Sequence, residues 1–337
     1  MKVLYIGGTG TISTDCVRQT HALGHEVYVL NRGNRPERLL EWAHPIVGDV
    51  NGDPESVRSA LAGMSFDVVA EFIAFRPEQV ARDIELFRGM VGQYVYISSA
   101  SVYNKPPING LIREDTPLRN PFWRYARDKI ACEDVLAKEY RESGFPYTIV
   151  RPSHTYSEWS VPVAVHGAKG SWQVLERIRQ GKSVPVPGDG TTLWTFTHSR
   201  DFAGAFVRLL GNPRAIGEAV HITNDERLTW NQAYEIIARA LGTKPNLLHL
   251  PTWLLEAKGK AYGYDFAGSL WGDKANNAVF DTSKIKRLAP GWSAGIRYDE
   301  GVAMCIAHQS AHPELIAPDP NFDKYCDELE LMAASLR

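Results

Sequence analysis

The sequence predicts an α/β fold built on a doubly wound parallel sheet, with a smaller, mixed C-terminal part. Short apolar runs rich in β-formers alternate with helical segments along the first 150 residues, a pattern typical of a parallel sheet covered by helices. The first run, 3–6, ends abruptly in a glycine-rich turn that leads into a helical segment, and a second strand-like run, 26–30, follows. Strand, glycine turn, helix and strand together form the first unit of a Rossmann-type fold.

The glycine turn predicts a dinucleotide site. Glycine permits positive φ and a close approach of ligand to backbone, and the N-terminus of the following helix offers unpaired N–H groups and a positive dipole end to a phosphate. Tight turns also need glycine for structural reasons alone, but the spacing G-x-x-G-x-x-S between a strand and a helix favours the dinucleotide. The residues expected against the pyrophosphate are Gly7, Thr9, Gly10, Thr11 and Ile12.

The end of the second strand indicates which dinucleotide binds. In NAD-binding folds an acidic side chain here usually holds the adenosine ribose, whereas this chain has Asn31 and Arg32, followed by a basic loop with Arg35. A guanidinium suits a 2′-phosphate, so the sequence favours NADP, with NAD as the alternative. A solvated loop whose arginines bind nothing is also compatible with the sequence.

Further strands and helices follow in alternation. Asp49 and Val50 end the third strand, where Asp49 either forms a turn or accepts a hydrogen bond from adenine. The fourth strand continues to Ile73 and Ala74, where the nicotinamide-side ribose is expected. The predicted strands span 45–50, 66–70, 94–97, 148–150 and 219–223, and the predicted helices span 11–23, 54–61, 77–87, 173–179 and 201–210.

Hydroxyl-bearing side chains cluster after the fifth strand, in 98–103. Open parallel sheets place ligands outside the carboxyl ends of their strands, so these hydroxyls are placed for chemistry, although serines also cap and turn chains. Asn120 and Pro121 are predicted to start a helix that carries Tyr125 and Lys129. Because residues four apart share a helix face, the phenol and the ammonium point the same way.

These motifs resemble the extended short-chain dehydrogenase/reductases, and more narrowly the NAD-dependent epimerase/dehydratase family, many of whose members act on nucleotide sugars. The resemblance covers residues 1 to about 222 and is carried by G-G-T-G-T-I-S at 7–13, Y-I-S-S-A-S-V-Y at 96–103, Y-A-R-D-K at 125–129 and G-D-G-T-T-L-W-T-F-T-H-S-R-D at 188–201. It implies that Ser99, Tyr125 and Lys129 are catalytic. The cofactor residues expected are Gly7, Thr9, Gly10, Thr11, Ile12, Asn31, Arg32, Asp49, Val50, Ile73, Ala74, Tyr125, Lys129 and Pro152, and the substrate residues are Ser99, Ser101, His154 and Trp194.

The resemblance also implies a reaction. Tyr125 would exchange a proton with the substrate alcohol while hydride passes between the same carbon and the nicotinamide. A free tyrosine titrates near ~10, and Lys129 together with an oxidised nicotinamide would favour its phenolate. The similar 4,6-dehydratases carry an Asp-Glu pair immediately after the catalytic hydroxyl residue, and Ala100 and Ser101 stand there in this chain. Elimination is therefore not expected, which leaves epimerisation or simple oxidation or reduction.

Two positions depart from the pattern of the nucleotide-sugar enzymes. His154 stands where they commonly have an asparagine; it would either titrate near neutral pH as an extra acid or base or be a structural histidine. Trp194 stands where members that use sugar diphosphates generally have an arginine, and an indole is only a single neutral donor. His198 and Asp201 are expected to hold a strand and a helix in place.

The predicted function is an NAD(P)-dependent sugar or nucleotide-sugar epimerase acting by transient hydride transfer. The alternatives are an NADP-dependent reductase or dehydrogenase of a free sugar or small carbonyl compound, and a non-catalytic RNA-binding protein. Residues 1–152 are predicted to form the dinucleotide-binding domain, with returns near 194–224, and residues 153–193 and 225–337 the substrate-binding part. A homodimer is possible by resemblance.

Composition excludes several other classes. The chain has 337 residues, 44% hydrophobic and 23% charged, and a net charge of −2, so no basic field draws it to nucleic acid or an anionic membrane. Four cysteines lie far apart without a C-x-x-C motif, so neither a metal site nor a disulfide framework is expected. No apolar run approaches ~20 residues and the first strand leaves no room for a signal peptide. A cytoplasmic protein without a metal is expected.

Overall fold

The computed structural model describes residues 1–33 and 40–335, so Arg35 of the basic loop lies outside the described residues. Within these ranges the strands are β1 (Lys2–Ile6), β2 (Glu26–Asn31), β3 (His44–Val47), β4 (Phe66–Glu71), β5 (Val91–Ile97), β6 (Tyr147–Pro152), β7 (His154–Tyr156), β8 (Ser183–Pro187), β9 (Leu193–Trp194), β10 (Phe196–His198), β11 (Glu218–Ile222), β12 (Leu228–Thr229) and β13 (Asn246–Leu250). The α-helices are α1 (Ser13–Ala22), α2 (Pro54–Ala60), α3 (Pro77–Phe87), α4 (Arg124–Ser143), α5 (Trp172–Arg179), α6 (Ser199–Phe206), α7 (Trp230–Ala240), α8 (Thr252–Lys260), α9 (Ser283–Leu288), α10 (Tyr298–Ala311) and α11 (Pro320–Ser335).

A parallel sheet of seven strands, in the order β11-β6-β5-β4-β1-β2-β3, organises the described part of the chain. From β1 the chain builds outward through β2 and β3, and then crosses to the other side of β1 to build β4, β5 and β6. In such doubly wound sheets the strand order reverses between β1 and β4, and a ligand crevice opens outside the carboxyl ends of the strands there. The predicted fold class is confirmed.

Both faces of the sheet are buried, which explains the short apolar runs in the sequence. Along β1, Val3 and Tyr5 pack with the core residues of α1 and α6, while Leu4 and Ile6 pack with those of α2, α3 and α4. All four side chains have no exposed surface. The alternation places helices on both faces and leaves the carboxyl ends of the strands free for a site.

A separate core lies in the second half of the chain, beside the sheet. It joins α5, α7, α8, α10 and α11 to the parallel pair formed by β8 and β13, and Trp194, Trp230, Tyr234 and Tyr298 are among its buried members. β11 returns to the main sheet beside β6, as predicted. The division of the chain at residue 152 stays a prediction.

Several element boundaries differ from the sequence prediction. The third strand ends at Val47, and Asp49 lies in the turn that follows it. Helix α6 spans Ser199–Phe206 rather than 201–210. Helix α4 begins at Arg124 rather than at Pro121, since the backbone of Trp123 just before it is extended, with φ −120° and ψ 117°.

All four cysteines are free and buried. Among the described residues, no helix is long and apolar enough to cross a membrane. In the same ranges, His, Cys, Asp and Glu side chains form no cluster that could hold a metal ion.

Candidate active site

The glycine turn after β1 has the geometry of a phosphate-binding turn. Gly7 has φ +84°, and its N–H donates to the Leu30 carbonyl at 3.1 Å. Ser13 closes the turn, since its Oγ accepts from the Gly10 N–H at 2.8 Å and donates to the Gly7 carbonyl at 2.8 Å. Within 1–33 and 40–335 the N–H groups of Thr11, Ile12 and Ser13 donate to no acceptor. These donors at the start of α1 fit a pyrophosphate.

Replacing Gly7 by alanine is expected to destabilise the protein and to abolish dinucleotide binding. A Cβ at this position would lie 2.4 Å from Cγ2 of Ile73. Positive φ costs a non-glycine residue about 1–2 kcal/mol, and overpacking adds about 1–3 kcal/mol. Gly24 is the matched control, because its φ is +79° and nothing lies within 4 Å of a Cβ there. Urea unfolding that gives equal losses for Gly7→Ala and Gly24→Ala would contradict the predicted clash with Ile73.

The loops after β2 and β3 form the end of a cleft where the sequence predicts the adenosine. Asn31 Oδ1 accepts from the Gly33 N–H at 2.8 Å, and the exposed Arg32 side chain makes no hydrogen bond or ion pair within the described ranges. Asp49 Oδ1 accepts from the Asn51 N–H at 3.0 Å, which is the turn-forming role, and Val50 is buried. The residues that line this cleft are Gly7, Thr9, Gly10, Leu30, Asn31, Arg32, Gly48, Asp49, Val50, Asn51, Ile73, Phe75 and Gln79.

The ribose end of the cleft is held by a buried carboxyl group that the sequence did not single out. Glu71 Oε1 accepts from the N–H groups of Ile73 and Ala74, at 2.5 and 2.7 Å. Burial, and then the nearby Asp83, raise the pKa of Glu71 well above its usual value. Its side chain therefore fixes the turn that faces the glycine loop.

Ser99 and Tyr125 meet at the wall of a second cavity. Ser99 and Tyr125 both line this cavity, and Oγ of Ser99 lies 2.9 Å from Oγ of Ser101. Burial raises the pKa of Tyr125, and the Ser99 side chain opposes that rise. Burial therefore favours the protonated phenol, and the phenolate expected beside an oxidised nicotinamide stays a prediction.

Lys129 lies on the same face of α4 as Tyr125 but points into the protein. Nζ donates to the carbonyls of Ala74 and Ile97, at 2.8 and 2.7 Å, and the residue is 1% exposed. Nζ also lies 4.7 Å from the ring centroid of Phe75. Burial lowers the pKa of Lys129 to about 8. In this arrangement Lys129 ties the ribose-side turn to the end of β5.

Phe75 lies between the two cavities. Its ring lines the cofactor cleft, and its centroid lies 6.3 Å from that of Tyr125, which lines the second cavity. The second cavity is called the substrate cavity below. Its lining residues are Ser99, Ala100, Ser101, Lys105, Trp123, Tyr125, Pro152, Ser153, His154, Thr155, Asp273, Lys274, Ala278 and Phe280.

Several of the predicted site residues lie elsewhere than expected, and Lys129, assigned to the cofactor, lines neither cavity. Pro152, assigned to the cofactor, lines the substrate cavity. Trp194 is 1% exposed and lies behind His154, with ring centroids 6.0 Å apart, so it does not line the cavity. Ala74 is buried and reaches the cofactor region only through its backbone.

His154 lines the cavity among aromatic rings. Its ring packs against Trp194, Phe196 and Trp230. Burial, and then the charge of Lys274, lower the pKa of His154 well below its usual value. The residue is neutral at pH 7, so an acid or base role that depends on titration near neutral pH is not supported.

Asn120 joins the segments that build the substrate cavity. Its Nδ2 donates to the carbonyls of Ser101 and Gly272, at 2.8 and 2.7 Å. Its Oδ1 accepts from the N–H groups of Phe122 and Trp123, at 3.2 and 3.1 Å. An amide has two donor hydrogens and two acceptor lone pairs, so all of its hydrogen-bonding capacity is used.

A π-helix, Ala267–Lys274, forms the far wall of the cavity. It packs closely on Trp123, since a Cβ at Gly268 would lie 2.2 Å from Trp123 Cδ1 and one at Gly272 would lie 2.7 Å from Trp123 Cβ. Helices of this type are rare and are frequently found at functional sites. No motif in the sequence marks this wall of the cavity.

Comparison with known proteins identifies the family of this chain. Residues 3–223 match the sequence profile of the NAD dependent epimerase/dehydratase family. The 2′-dehydrokanamycin reductase of Streptomyces kanamyceticus is 26% identical over 295 residues, which are 87% of this chain and 80% of that protein. Chloroplast stem-loop binding protein of 41 kDa b, from Arabidopsis thaliana, is 28% identical over 262 residues, which are 74% of this chain and 65% of that protein.

A solved structure supports the fold. The UDP-glucose 4-epimerase of Thermotoga maritima, crystallised with UDP-glucose, superposes with a TM-score of 0.74 at 19% identity, and the match covers 92% of this chain and 99% of that one.

Proposed function

Because the chain belongs to the NAD-dependent epimerase/dehydratase family, we propose that it is a reductase that uses NADPH to convert a ketone on a sugar or sugar-like ring into an alcohol. The observation that carries the proposal is that Ser99 and Tyr125 line the same substrate cavity, where burial raises the pKa of Tyr125 and so favours the protonated phenol. A protonated phenol is the state needed to protonate a ketone oxygen. Similarity to a reductase over 87% of the chain supports the same direction.

The pair would act on the carbonyl oxygen of a bound ketone. Ser99 and Tyr125 would both donate hydrogen bonds to that oxygen, and Tyr125 would transfer its proton as negative charge develops there. Bound NADPH supplies the hydride that reduces the carbon. The phenolate left behind would accept the hydrogen bond from Ser99 and be reprotonated from solvent.

Lys129 would act by positioning. Its Nζ holds the carbonyls of Ala74 and Ile97, so the turn that faces the cofactor and the strand end that precedes Ser99 keep a fixed separation. Its Nζ lies 5.9 Å from the ring centroid of Tyr125, where its charge would also favour the developing phenolate.

The choice of NADP over NAD rests on Arg32. Its side chain is exposed at the adenosine end of the cleft and has no partner in the described part of the chain, while Asn31 brings no carboxylate that would repel a 2′-phosphate. Charge-assisted hydrogen bonds from a guanidinium to a phosphate are strong and geometrically specific.

The cofactor preference gives the first test. Replacing Arg32 by alanine is expected to weaken NADPH binding roughly 10- to 100-fold, from the loss of hydrogen bonds to a charged group, and to leave NADH binding nearly unchanged. Fluorescence titration of both dinucleotides measures this ratio. Arg214→Ala is the control, since Arg214 is an exposed arginine outside the cleft. An unchanged NADPH-to-NADH ratio would show that Arg32 contacts no phosphate.

An epimerase, the function first predicted from the sequence, is the rival. It would use the same Ser99 and Tyr125 pair but return the hydride to the substrate, so its cofactor would be recycled and stay bound. Denaturing the purified protein and identifying any released dinucleotide by mass spectrometry separates the two. We expect a protein that binds NADPH reversibly; retained NAD in near-stoichiometric amount would favour the epimerase and count against the role given to Arg32.

Nucleic-acid binding is the third function to test, because one relative is a stem-loop binding protein by name. The net charge of −2 does not favour it, since nucleic-acid affinity depends strongly on neutralised phosphates. An RNA affinity that falls steeply with salt, in a protein that turns over no ketone, would support that function instead of a reductase.

A further inference from the structure

Three charged side chains line one end of the substrate cavity: Lys105, Asp273 and Lys274. Lys105 is 4% exposed, and its Nζ lies 3.8 Å from Asp273 Oδ1. Burial lowers the pKa of Lys105 and raises that of Asp273, and each of these shifts is opposed by the partner. The two form an ion pair at the cavity wall, which leaves Lys274 as the second cation.

Asp273 is the titratable side chain whose charge favours the cationic form of Lys274, and it is shared with Lys105. Within residues 1–33 and 40–335, Nζ of Lys274 makes no hydrogen bond and no ion pair, and no other neighbouring titratable side chain compensates its charge. His154 and His166 both have pKa values lowered by burial and by Lys274 itself. Asp273 is already paired with Lys105. The lining of the cavity therefore carries two cations against one anion.

The backbone at Lys274 is fixed rather than loose. The indole N–H groups of Trp194 and Trp230 both donate to the Lys274 carbonyl, at 3.1 and 2.9 Å, and Lys274 is the last residue of the π-helix. Two buried indoles thus hold the residue so that its side chain can lie along the cavity. Trp194, which does not reach the cavity itself, acts on the site through this contact.

A buried cation whose counter-charge is shared with a second cation is costly for the folded protein. Burial lowers the pKa of Lys274 to about 8, although Asp273 opposes the shift. Removing a charge from water without full compensation is unfavourable. Ionisable groups perturbed in this way are concentrated at functional sites.

We infer that the substrate carries an anionic group, a carboxylate or a phosphate, that binds Nζ of Lys274 while its ketone faces Ser99 and Tyr125. The inference rests on the proposed function, because it names the substrate class of the same cavity. Lys274 and the Ser99–Tyr125 pair line one cavity, so the anionic group and the reacting carbon belong to the same ligand. The ion pair of Lys105 and Asp273 would flank the anion without being broken.

Thermal unfolding with added anions tests the site without an activity assay. The proteins are wild type, Lys274→Met, Lys274→Arg and the control Lys244→Met, which removes an exposed lysine outside the cavity. The probes are D-glucuronate, D-glucose 6-phosphate and UDP, with D-glucose as the neutral counterpart and sodium chloride at matched ionic strength. They distinguish a sugar carboxylate, a sugar phosphate and a nucleotide diphosphate as the source of the anion.

Two results are expected. Without any probe, Lys274→Met should unfold at a higher temperature than wild type, because an incompletely compensated charge is removed. At least one anionic probe should raise the unfolding temperature of wild type, Lys244→Met and Lys274→Arg, with an affinity about tenfold or more greater than for Lys274→Met, as expected for a lost charged hydrogen bond. D-glucose should not distinguish Lys274→Met from wild type.

Two results would overturn the inference: anion effects that are equal in wild type and Lys274→Met, or no anion that stabilises wild type more than D-glucose does. NADPH titration of the same proteins separates this outcome from a failure of the proposed function. If NADPH binds but the Lys274 substitutions do not change anion binding, only the anion-site inference is wrong. If the Lys274 substitutions change anion binding in a protein that binds no dinucleotide, the anion site is supported and the proposed reductase function is wrong.

Discussion

Tyr125→Phe should lower ketone turnover by about 10²–10⁴-fold, the usual contribution of a positioned acid or base, and leave NADPH affinity within about twofold. The phenylalanine keeps the ring contacts with Trp123 and Phe75 but has no proton to give. Initial rates of NADPH oxidation on a ketone accepted by wild type, with a parallel fluorescence titration of NADPH, measure both quantities.

A second tyrosine on the same helix provides the control. Tyr140 is 40% exposed, and its ring packs edge-on against Tyr147, away from the cavity. Tyr140→Phe should retain the turnover of wild type. If Tyr125→Phe also retained it, the phenol would not be the proton donor, and the proposed mechanism would be wrong even if the fold and the cofactor site were right.

Arg151→Met is expected to reduce the free energy of unfolding by about 3–5 kcal/mol, because it leaves a buried carboxylate without its partner. Arg151 and Glu133 are each 4% exposed and form a two-point contact, with Nε–Oε1 at 3.0 Å and Nη2–Oε2 at 2.6 Å. Ser98 Oγ also donates to Glu133 Oε1 at 2.5 Å. Urea unfolding monitored by circular dichroism gives the loss.

Helix α4, which carries Glu133, also carries an exposed ion pair for comparison. Lys138 and Glu142 lie 3.9 Å apart with most of both side chains in solvent, and Lys138→Met should change stability by less than about 1 kcal/mol. Combining Arg151→Met with Glu133→Gln should recover part of the loss, since the unpaired charge is then gone. Similar losses for Arg151→Met and Lys138→Met would mean that the buried pair does not contribute as described.

The sheet and the cofactor cleft could be predicted because their signals are local. A buried parallel strand is a short apolar run, and the glycine turn requires a conformation that other residues rarely adopt, as the φ of Gly7 shows. The catalytic roles of Ser99 and Tyr125 came from the resemblance to a known family, while their places at a strand end and on a helix face follow from local patterns. For the strands and the glycine turn, a window of about a dozen residues was enough.

The features that the sequence did not predict depend on contacts between segments that are far apart in sequence. Asparagine is a common helix-capping residue, but two of the hydrogen bonds of Asn120 go to the carbonyls of Ser101 and Gly272. The direction of Lys129 depends on the carbonyls of Ala74 and Ile97. Lys274 lies at the cavity because the π-helix Ala267–Lys274 packs on Trp123, more than 140 residues earlier in the chain, and no local pattern indicates that packing.

The four hydrogen bonds of Asn120 limit how this enzyme could be re-engineered. A chimera that exchanges the cavity wall formed by the π-helix Ala267–Lys274 for the matching segment of another family member changes the ligand-facing side chains. It must also place a carbonyl where that of Gly272 lies. If that carbonyl moves, the amide loses a partner, and the loop that carries Ser101 and the start of α4 lose their common anchor. Exchanging single side chains on this wall, with its backbone retained, is therefore the safer way to a new specificity.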